Sequence, residues 1–481
     1  MDPARLYPLN DAPVRAERGS VLYWMTSARR LGYNFALERA VAHAVALRKP
    51  LVVFEALRCG YTHASDRLHA FVMEGMAEHA AALQKGPVRY YPYVEPAAGA
   101  ASGLLAALAR GACLVVTDWY PAYFLPRMTA AAASRIDCRM EAVDGNGLLP
   151  VGLAARAVPM AHGFRAHLQR QLRGQLQQWP ARDPLAALPR RRKAAVAGGI
   201  LERWPAATGA SLSHRALAGL PIDHRVPPVA VRGGTAAARV RLRAFLSGGL
   251  SRYAADHHQP ERDATSRLSP WLHFGHISAH EIFEGVMSRE RWTSRKLAAG
   301  ARGAREGWWH VSRSAESFLD ELITWRELAF NTCAFVPGCD RYASLPAWAR
   351  RTLDAHRADP RVYVYSLAQF EAAATHDPLW NAAQRQLVRE GWFHGYMRML
   401  WGKKILEWTR TPEDALAVMG ELMNRYSLDG RDPNSWAGFG WVLGRYDRPW
   451  PEREVFGQVR YMSSANTARK LSVRGYLSRY A

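Results

Sequence analysis

At 481 residues the chain exceeds one ordinary domain and predicts two or three. Its 49% hydrophobic and 22% charged residues exclude a disordered or fibrous chain, and a formal net charge of +22 points to a polyanionic partner. Nucleic acid and an anionic membrane surface both satisfy that charge, and a merely Arg-rich composition is the plainer alternative.

The five cysteines, Cys59, Cys113, Cys138, Cys333 and Cys339, fall in no Cys-x-x-Cys or His/Cys ligand spacing. No metal is therefore expected, and reduced thiols in a cytoplasmic protein are. The opening Met1–Tyr7 has no basic region leading into an apolar stretch, so no signal peptide is expected. No charge-free apolar run is long enough to span a bilayer, which predicts a chain free of membranes. Nothing points to an extended assembly surface, and a monomer is expected.

In chain order, short apolar runs at Val21–Met25, Leu51–Phe54, Val88–Tyr90 and Cys113–Thr117 predict buried strands. Helical patterns over Asn34–Leu47, Asp66–Leu83 and Gly103–Ala109 lie between them. This alternation predicts an α/β, Rossmann-like domain with a parallel sheet over residues 1–168. No Gly-x-Gly-x-x-Gly follows the first strand, which argues against a nicotinamide dehydrogenase. Residues 169–239, rich in Arg, Ala, Pro and Gly, read as an interdomain connection. Its run Arg190-Arg191-Arg192-Lys193 reads as a solvated segment, with DNA contact as the alternative.

From 240 to 481 the strand signals vanish and an all-α domain is predicted, with helices over Ser317–Asn331, Asn381–Glu390, Gly395–Thr409 and Pro412–Arg425. Thirteen of the seventeen tryptophans lie between Trp271 and Trp450, more than helical cores usually need. A flavin, stacked bases or electron hopping would account for the excess.

Four features carry candidate chemistry, each with a plain structural reading beside it. Thr265-Ser266-Arg267-Leu268-Ser269 places hydroxyls before Pro270 and an apolar helix, which suits either a phosphate cradle or an ordinary N-cap. Trp401 and Trp408 are seven apart on one predicted helix, hence on one face and roughly 10 Å apart along the axis. Such a pair is a core stripe or an electron relay. Asp429-Gly430-Arg431-Asp432 reads as a polar turn. Glu321, shortly before Trp325-Arg326-Glu327, reads as part of a solvated or salt-bridged helix face.

The segment from Tyr253 through Thr265 to Gly275 resembles the flavin diphosphate-binding segment of the photolyase/cryptochrome family, including the twelve-residue step from tyrosine to threonine. Thr375-His376-Asp377-Pro378-Leu379-Trp380-Asn381 and the stretch Gly395–Trp408 resemble class II cyclobutane pyrimidine dimer photolyases. So do Tyr426–Asn434, Asp447-Arg448-Pro449-Trp450, Arg460-Tyr461-Met462-Ser463 and the opening Val21–Met25. The resemblance spans nearly the whole chain and is weakest in the middle connection.

It implies an antenna-type α/β domain followed by a helical domain that binds FAD, active as FADH⁻. The implied activity is light-driven repair of pyrimidine dimers in UV-damaged DNA. Tyr253, Thr265, Ser266, Arg267, Leu268 and Ser269 would hold the diphosphate. Asp429, Gly430, Arg431 and Asn424 would surround the flavin and adenine, and Arg398 would lie near the isoalloxazine. Trp401 would be the inner, Trp380 the middle and Trp408 the outer member of an electron relay. Glu321, protonated in a water-poor pocket, would hydrogen-bond the dimer. Trp325 and Trp441 would stack on the flipped dimer beside Met399, while Arg448 and Arg460 would contact the DNA backbone.

An antenna chromophore, whether deazaflavin, flavin or folate, is left open. Three positions depart from the family pattern. Met423-Asn424 stands where Asn-Asp is usual, so that either Asn424 takes over the contact to flavin N5 or the flavin environment differs. Phe330 replaces an aspartate, and Tyr33 stands before Asn34 where an acidic residue is usual. A cryptochrome-like photoreceptor and a damage-binding flavoprotein without repair activity are the rival readings.

Overall fold

The computed structural model describes residues 1–189 and 192–481, so Arg190 and Arg191 of the basic run lie outside the described residues. Two compact units emerge. One comprises Met1–Ala154, Gln171–Leu242 and Leu268–Ser288; the other comprises Ala155–Arg170, Arg243–Arg267 and Arg289–Ala481.

The first unit is built on a sheet of β1 (Leu6–Pro8), β2 (Ser20–Met25), β3 (Leu51–Leu57), β4 (Arg89–Val94), β5 (Ala112–Asp118) and β6 (Arg139–Val143). Their order is β1-β6-β5-β2-β3-β4, with every pairing parallel except that of β1 with β6. The four predicted strands are β2 to β5. Two strands carry no apolar run: β1 has three residues, and β6 interrupts its apolar positions with Arg139 and Glu141. Pro8 and Pro92 sit in β1 and β4, the two edges, where a missing N–H disrupts no central ladder.

Side chains alternate across the sheet, and both faces are covered. Val21, Tyr23 and Met25 pack with α1 (Phe35–Ala46) on one side, together with Leu83 of α2 (Asp66–Leu83). Leu22 and Trp24 pack with α3 (Leu104–Ala109) on the other. This two-sided burial is why the strands read as continuous apolar runs.

In this strand order the chain reverses direction between β5 and β2, the place where doubly wound sheets usually bind a phosphate. Here the chain supplies its own anion. Asp118, at the end of β5, accepts the backbone N–H groups of Thr26, Ser27 and Ala28 at 2.7, 2.8 and 2.9 Å. Its other oxygen accepts the Tyr23 hydroxyl at 2.7 Å. Burial, and then the Asp118 charge, push the Tyr23 phenol far above its usual range.

The second unit is helical, and its local chemistry starts and stops the helices that carry the candidate residues. Asp377 caps the helix Pro378–Glu390 by accepting the N–H groups of Leu379 and Trp380 at 2.9 and 3.0 Å, with Pro378 in the first turn. That helix therefore begins three residues before the predicted Asn381. A capping box between Thr411 and Asp414 opens the helix Pro412–Tyr426. Between them runs the helix Gly395–Trp408. Gly402 lets it approach its neighbours, since a Cβ there would stand 2.6 Å from Val442 and 3.1 Å from the Met419 sulfur.

The predicted helix over Ser317–Asn331 is continuous but not uniform. It runs as α-helix over Arg313–Leu319, widens to a π-helical turn over Asp320–Trp325, and resumes as α-helix over Arg326–Phe335. The wider turn falls on Glu321 and Trp325. No apolar periodicity announces such a turn, because the flanking pattern stays helical.

Among the described residues no helix is long and apolar enough to cross a membrane.

Candidate active site

The second unit encloses a cavity of about 930 Å³, within the range of small-molecule and cofactor sites. Five stretches of chain and the isolated Thr265 wall it. Tyr253, His257 and His258 come from the helix Leu250–Asp256 and its end, and Glu321 and Trp325 from the π-helical turn. Arg398 and Met399 come from Gly395–Trp408, and Asn434, Gly438 and Trp441 from Pro433–Val442. The C-terminal segment adds Tyr446, Trp450, Arg453, Arg460 and Lys470. Eight residues singled out from sequence therefore meet here: Tyr253, Thr265, Glu321, Trp325, Arg398, Met399, Trp441 and Arg460.

Glu321 is exposed, but into this cavity, whose walls crowd it with protein atoms. That crowding, reinforced by the neighbouring Asp320 carboxylate, raises its carboxyl to about 7 despite the opposing pull of Arg305 and Arg165. The π-helical turn separates the two adjacent acids. Asp320 is buried and takes a bidentate ion pair from Arg165 at 2.7 and 3.0 Å, while Glu321 is left to the cavity. One acid is neutralised by a cation and the other by a proton.

Arg398 pairs with Asp429 at 3.0 and 3.1 Å. Its buried Nε has no hydrogen-bond partner among the described residues. The His257 Nε2, on the cavity wall, is in the same condition. Burial lowers His257 and holds His258 near 4, so both imidazoles are neutral at pH 7. A cavity of this size with an unsatisfied guanidinium N–H, neutral imidazoles and the Tyr253 phenol fits a large, polar-edged aromatic cofactor. The ion pair with Asp429 offsets the cost of burying the Arg398 guanidinium there.

The three candidate relay tryptophans lie together. Trp380 projects from its own helix between the two on Gly395–Trp408. Its ring is 6.4 Å from Trp401 and nearly parallel to it, at 4°, and 5.9 Å from Trp408 at 68°. All three are buried. Trp401 donates its indole N–H to Gln384 at 2.9 Å, and Trp380 donates to the Trp401 carbonyl at 3.0 Å. Trp401 also lines a small void with Arg398, Met399 and Met423, which puts the inner end of the series beside Arg398.

Other predicted residues fall elsewhere. Asn424 is buried, and its side-chain oxygen accepts the Arg431 N–H at 2.7 Å. The Arg431 guanidinium donates to the carbonyls of Asn424, Ser427 and Leu428, at the end of Pro412–Tyr426, as a C-terminal cation should. Gly430 permits this turn, because a Cβ there would stand 2.6 Å from the Met423 carbonyl oxygen. Ser266 is half-buried, and Arg267 lies over the Trp392 ring at 4.6 Å. Leu268 and Ser269 belong to the first unit, where Ser269 begins the short helix Ser269–His273. Arg448 is exposed, with its backbone N–H on Asp447.

Sequence reasoning missed His257, His258, Tyr446 and Lys403. The histidines follow Tyr253 by one helical turn, a spacing that could have placed them on the same wall. Lys403 is fully buried, donates to the Val442 carbonyl at 2.6 Å and lies 4.8 Å from the Trp441 ring centre. Burial depresses its ammonium to about 7.

Curated relatives cover almost the whole chain. A deoxyribodipyrimidine photo-lyase of Methanothermobacter thermautotrophicus is 36% identical over 468 residues, covering 96% of this chain and 95% of that one. The rice protein of the same name is 36% identical over 480 residues, covering 96% and 87%, and the Arabidopsis thaliana one 32% over 476, covering 97% and 90%. No family model matches the chain. Among solved structures, a bacterial class III photolyase from Agrobacterium tumefaciens superposes with TM-score 0.70 at 19% identity, covering 96% of this chain and 86% of that one. A Synechocystis cryptochrome superposes with TM-score 0.66 at 14% identity, covering 96% and 88%. The structures bear on the fold, and the curated relatives on the family: this chain belongs to the deoxyribodipyrimidine photolyases of the photolyase/cryptochrome family, flavoprotein lyases of DNA repair.

Proposed function

We propose that the chain repairs cyclobutane pyrimidine dimers in UV-damaged DNA as a class II enzyme, with reduced FAD held in the 930 Å³ cavity. The observation that carries this reading is Glu321. It faces the same cavity as Trp325 and Trp441, and its carboxyl is raised to about 7. A protonated acid in one cavity with two indoles suits a flat, neutral substrate whose carbonyl gains negative charge during reaction.

FAD bound there in its reduced, anionic form would supply, on blue-light excitation, the electron that opens the cyclobutane ring and is then returned. The chain's residues do the rest. Arg398, through its free Nε, and the Tyr253–His257 wall hold and orient the cofactor. Trp325 and Trp441 stack on the extruded dimer and exclude water, and Glu321 keeps a proton at its carboxyl oxygen for the dimer carbonyl. Arg448 and Arg460 neutralise flanking phosphates. Trp408, Trp380 and Trp401, lying in that order at ring distances of 5.9 and 6.4 Å, would form the path by which an electron reaches the bound cofactor.

The test is blue-light repair of a dimer-containing oligonucleotide by prereduced protein, with a dark control and Glu321→Ala alongside. Light-dependent repair that falls at least tenfold in the variant is expected, the loss of one transition-state hydrogen bond being worth about 1.4 kcal/mol or more. Bound, reduced flavin with dimers persisting under light would defeat the repair reading and favour a photoreceptor.

A further inference from the structure

Cys333 and Cys339 have no part in the site just described, yet their sulfurs stand 3.1 Å apart. Local geometry brings them together. Cys333 lies in the last turn of Arg326–Phe335, and Val336 leaves the helix in an extended conformation. Pro337 and Gly338 then reverse the chain, Gly338 with φ +60°, which returns Cys339 to the helix end. Both thiols are partly exposed, whereas Cys59, Cys113 and Cys138 are buried. The hydrogen bond between the two sulfurs favours a thiolate at Cys339 and, with help from the Arg445 guanidinium, draws it below the usual thiol range; the same bond, together with burial, drives Cys333 above it.

We propose that Cys333 and Cys339 are a peroxide-responsive dithiol, closing to an intramolecular disulfide that is read out at the cavity wall through Thr332 and Tyr446. The step needs hydrogen peroxide as its oxidant. The Cys339 thiolate attacks one peroxide oxygen, forming an S–O bond as the O–O bond breaks. The departing hydroxide takes up the thiol's proton and leaves as water. The Cys333 sulfur then attacks the Cys339 sulfur; the S–S bond forms, the S–O bond breaks, and a second water leaves with the Cys333 proton. Two thiols lose two electrons and two protons, and one peroxide becomes two waters.

Closure shortens the sulfur separation from 3.1 Å to about 2.05 Å, a pull of roughly 1 Å on the last helical turn. Thr332 is the neighbouring residue, and its hydroxyl is 2.6 Å from that of Tyr446. Tyr446 lines the cavity and stands edge-on to Trp325 at 6.4 Å. This coupling to the cavity rests on the proposed lesion site; the modification itself does not.

The test treats the full-length protein with limiting hydrogen peroxide and maps peptides without reduction. A linked Cys333–Cys339 peptide, reversed by dithiothreitol and absent from Cys339→Ser and Cys339→Ala, is expected. Cys333→Ser should instead retain a sulfenic acid at Cys339 that dimedone traps. If Cys59, Cys113 or Cys138 oxidises first, or if Cys333 and Cys339 stay unlinked as thiols are consumed, the site is refuted. Affinity for a dimer-containing duplex should fall severalfold on oxidation and recover on reduction, in the wild type alone. A disulfide that forms with affinity unchanged overturns the coupling to the cavity. Failure of light-dependent repair with the disulfide still forming refutes the repair reading and not the dithiol.

Discussion

At the scale of single residues, Glu321 makes the sharpest prediction. Its carboxyl sits near 7, raised from the ordinary 4.5, so the acid form predominates below neutrality and is lost as pH rises through about 7. Repair per absorbed photon should fall across the same range, and Glu321→Gln should flatten that profile while keeping a hydrogen-bond donor. Linkage gives the matching stability effect. Between 4.5 and about 7 the folded state holds a proton that the unfolded state releases, so Glu321 destabilises the fold progressively as pH rises through that window. Denaturation midpoints of wild type and Glu321→Gln on either side of the window would show it. Lys403 works in the opposite sense. Its folded-state value is depressed from 10.5 to about 7, so the cost of burying it is fully present below 7 and is relieved as pH rises towards 10.5. Lys403→Met should therefore be relatively most stabilised below neutrality. It should also weaken dimer binding severalfold, because a cation close to the Trp441 ring is worth about 1 kcal/mol.

At the scale of elements, the π-helical turn Asp320–Trp325 is the part of the fold that splits an acidic dipeptide, ion-pairing Asp320 and leaving Glu321 on the cavity wall. Asp320→Ala should cost about 3 kcal/mol by leaving Arg165 without its buried partner, measurable by chemical denaturation. The same change removes the anion beside Glu321 and leaves Arg165 and Arg305 acting on it, so the pH profile of repair should move to lower pH. A merely destabilised protein would lose activity without moving that profile. Gly402 is a second element-scale dependency. Gly402→Ala would drive a methyl into Val442 and Met419, with an overpacking cost of roughly 1–3 kcal/mol. The accompanying displacement of Trp401 should slow photoreduction of bound flavin while dark flavin affinity changes less.

At the scale of the whole molecule, the +22 charge belongs to association with DNA and says nothing of the fold. Binding should weaken steeply with salt, and Arg448→Ala and Arg460→Ala should each reduce the slope of log K against log salt by about 1. Arg460 also lies over Trp450 at 4.9 Å, so its removal should cost some specificity for damage, whereas loss of the exposed Arg448 should weaken damaged and undamaged duplex alike. Competition binding with both duplexes over a salt series separates the two.

The sequence by itself determined the fold class, because strands buried on both faces write continuous apolar runs and amphipathic helices write a helical period. It also determined the family, because the Asp377-Pro378 cap, the Gly395–Trp408 helix and the Asp429–Asp432 turn are long local motifs. It could place Trp401 and Trp408 on one helix face, since helical spacing is a local property. The resemblance already made Trp380 the middle member, but tertiary structure alone decided its ring distances and angles to the other two, that Lys403 lies close to Trp441, and that Arg431 caps a helix end. It decided the fate of the Asp320-Glu321 pair as well, since only a π-helical turn and a distant Arg165 bury one acid and present the other to the cavity. Cys333 and Cys339 are the plainest case. Their spacing matches no ligand or redox motif, and only the chain reversal at Pro337-Gly338 sets the two sulfurs side by side. Pattern travels along the chain, but burial, ion pairing and ring contacts depend on neighbours that only folding supplies.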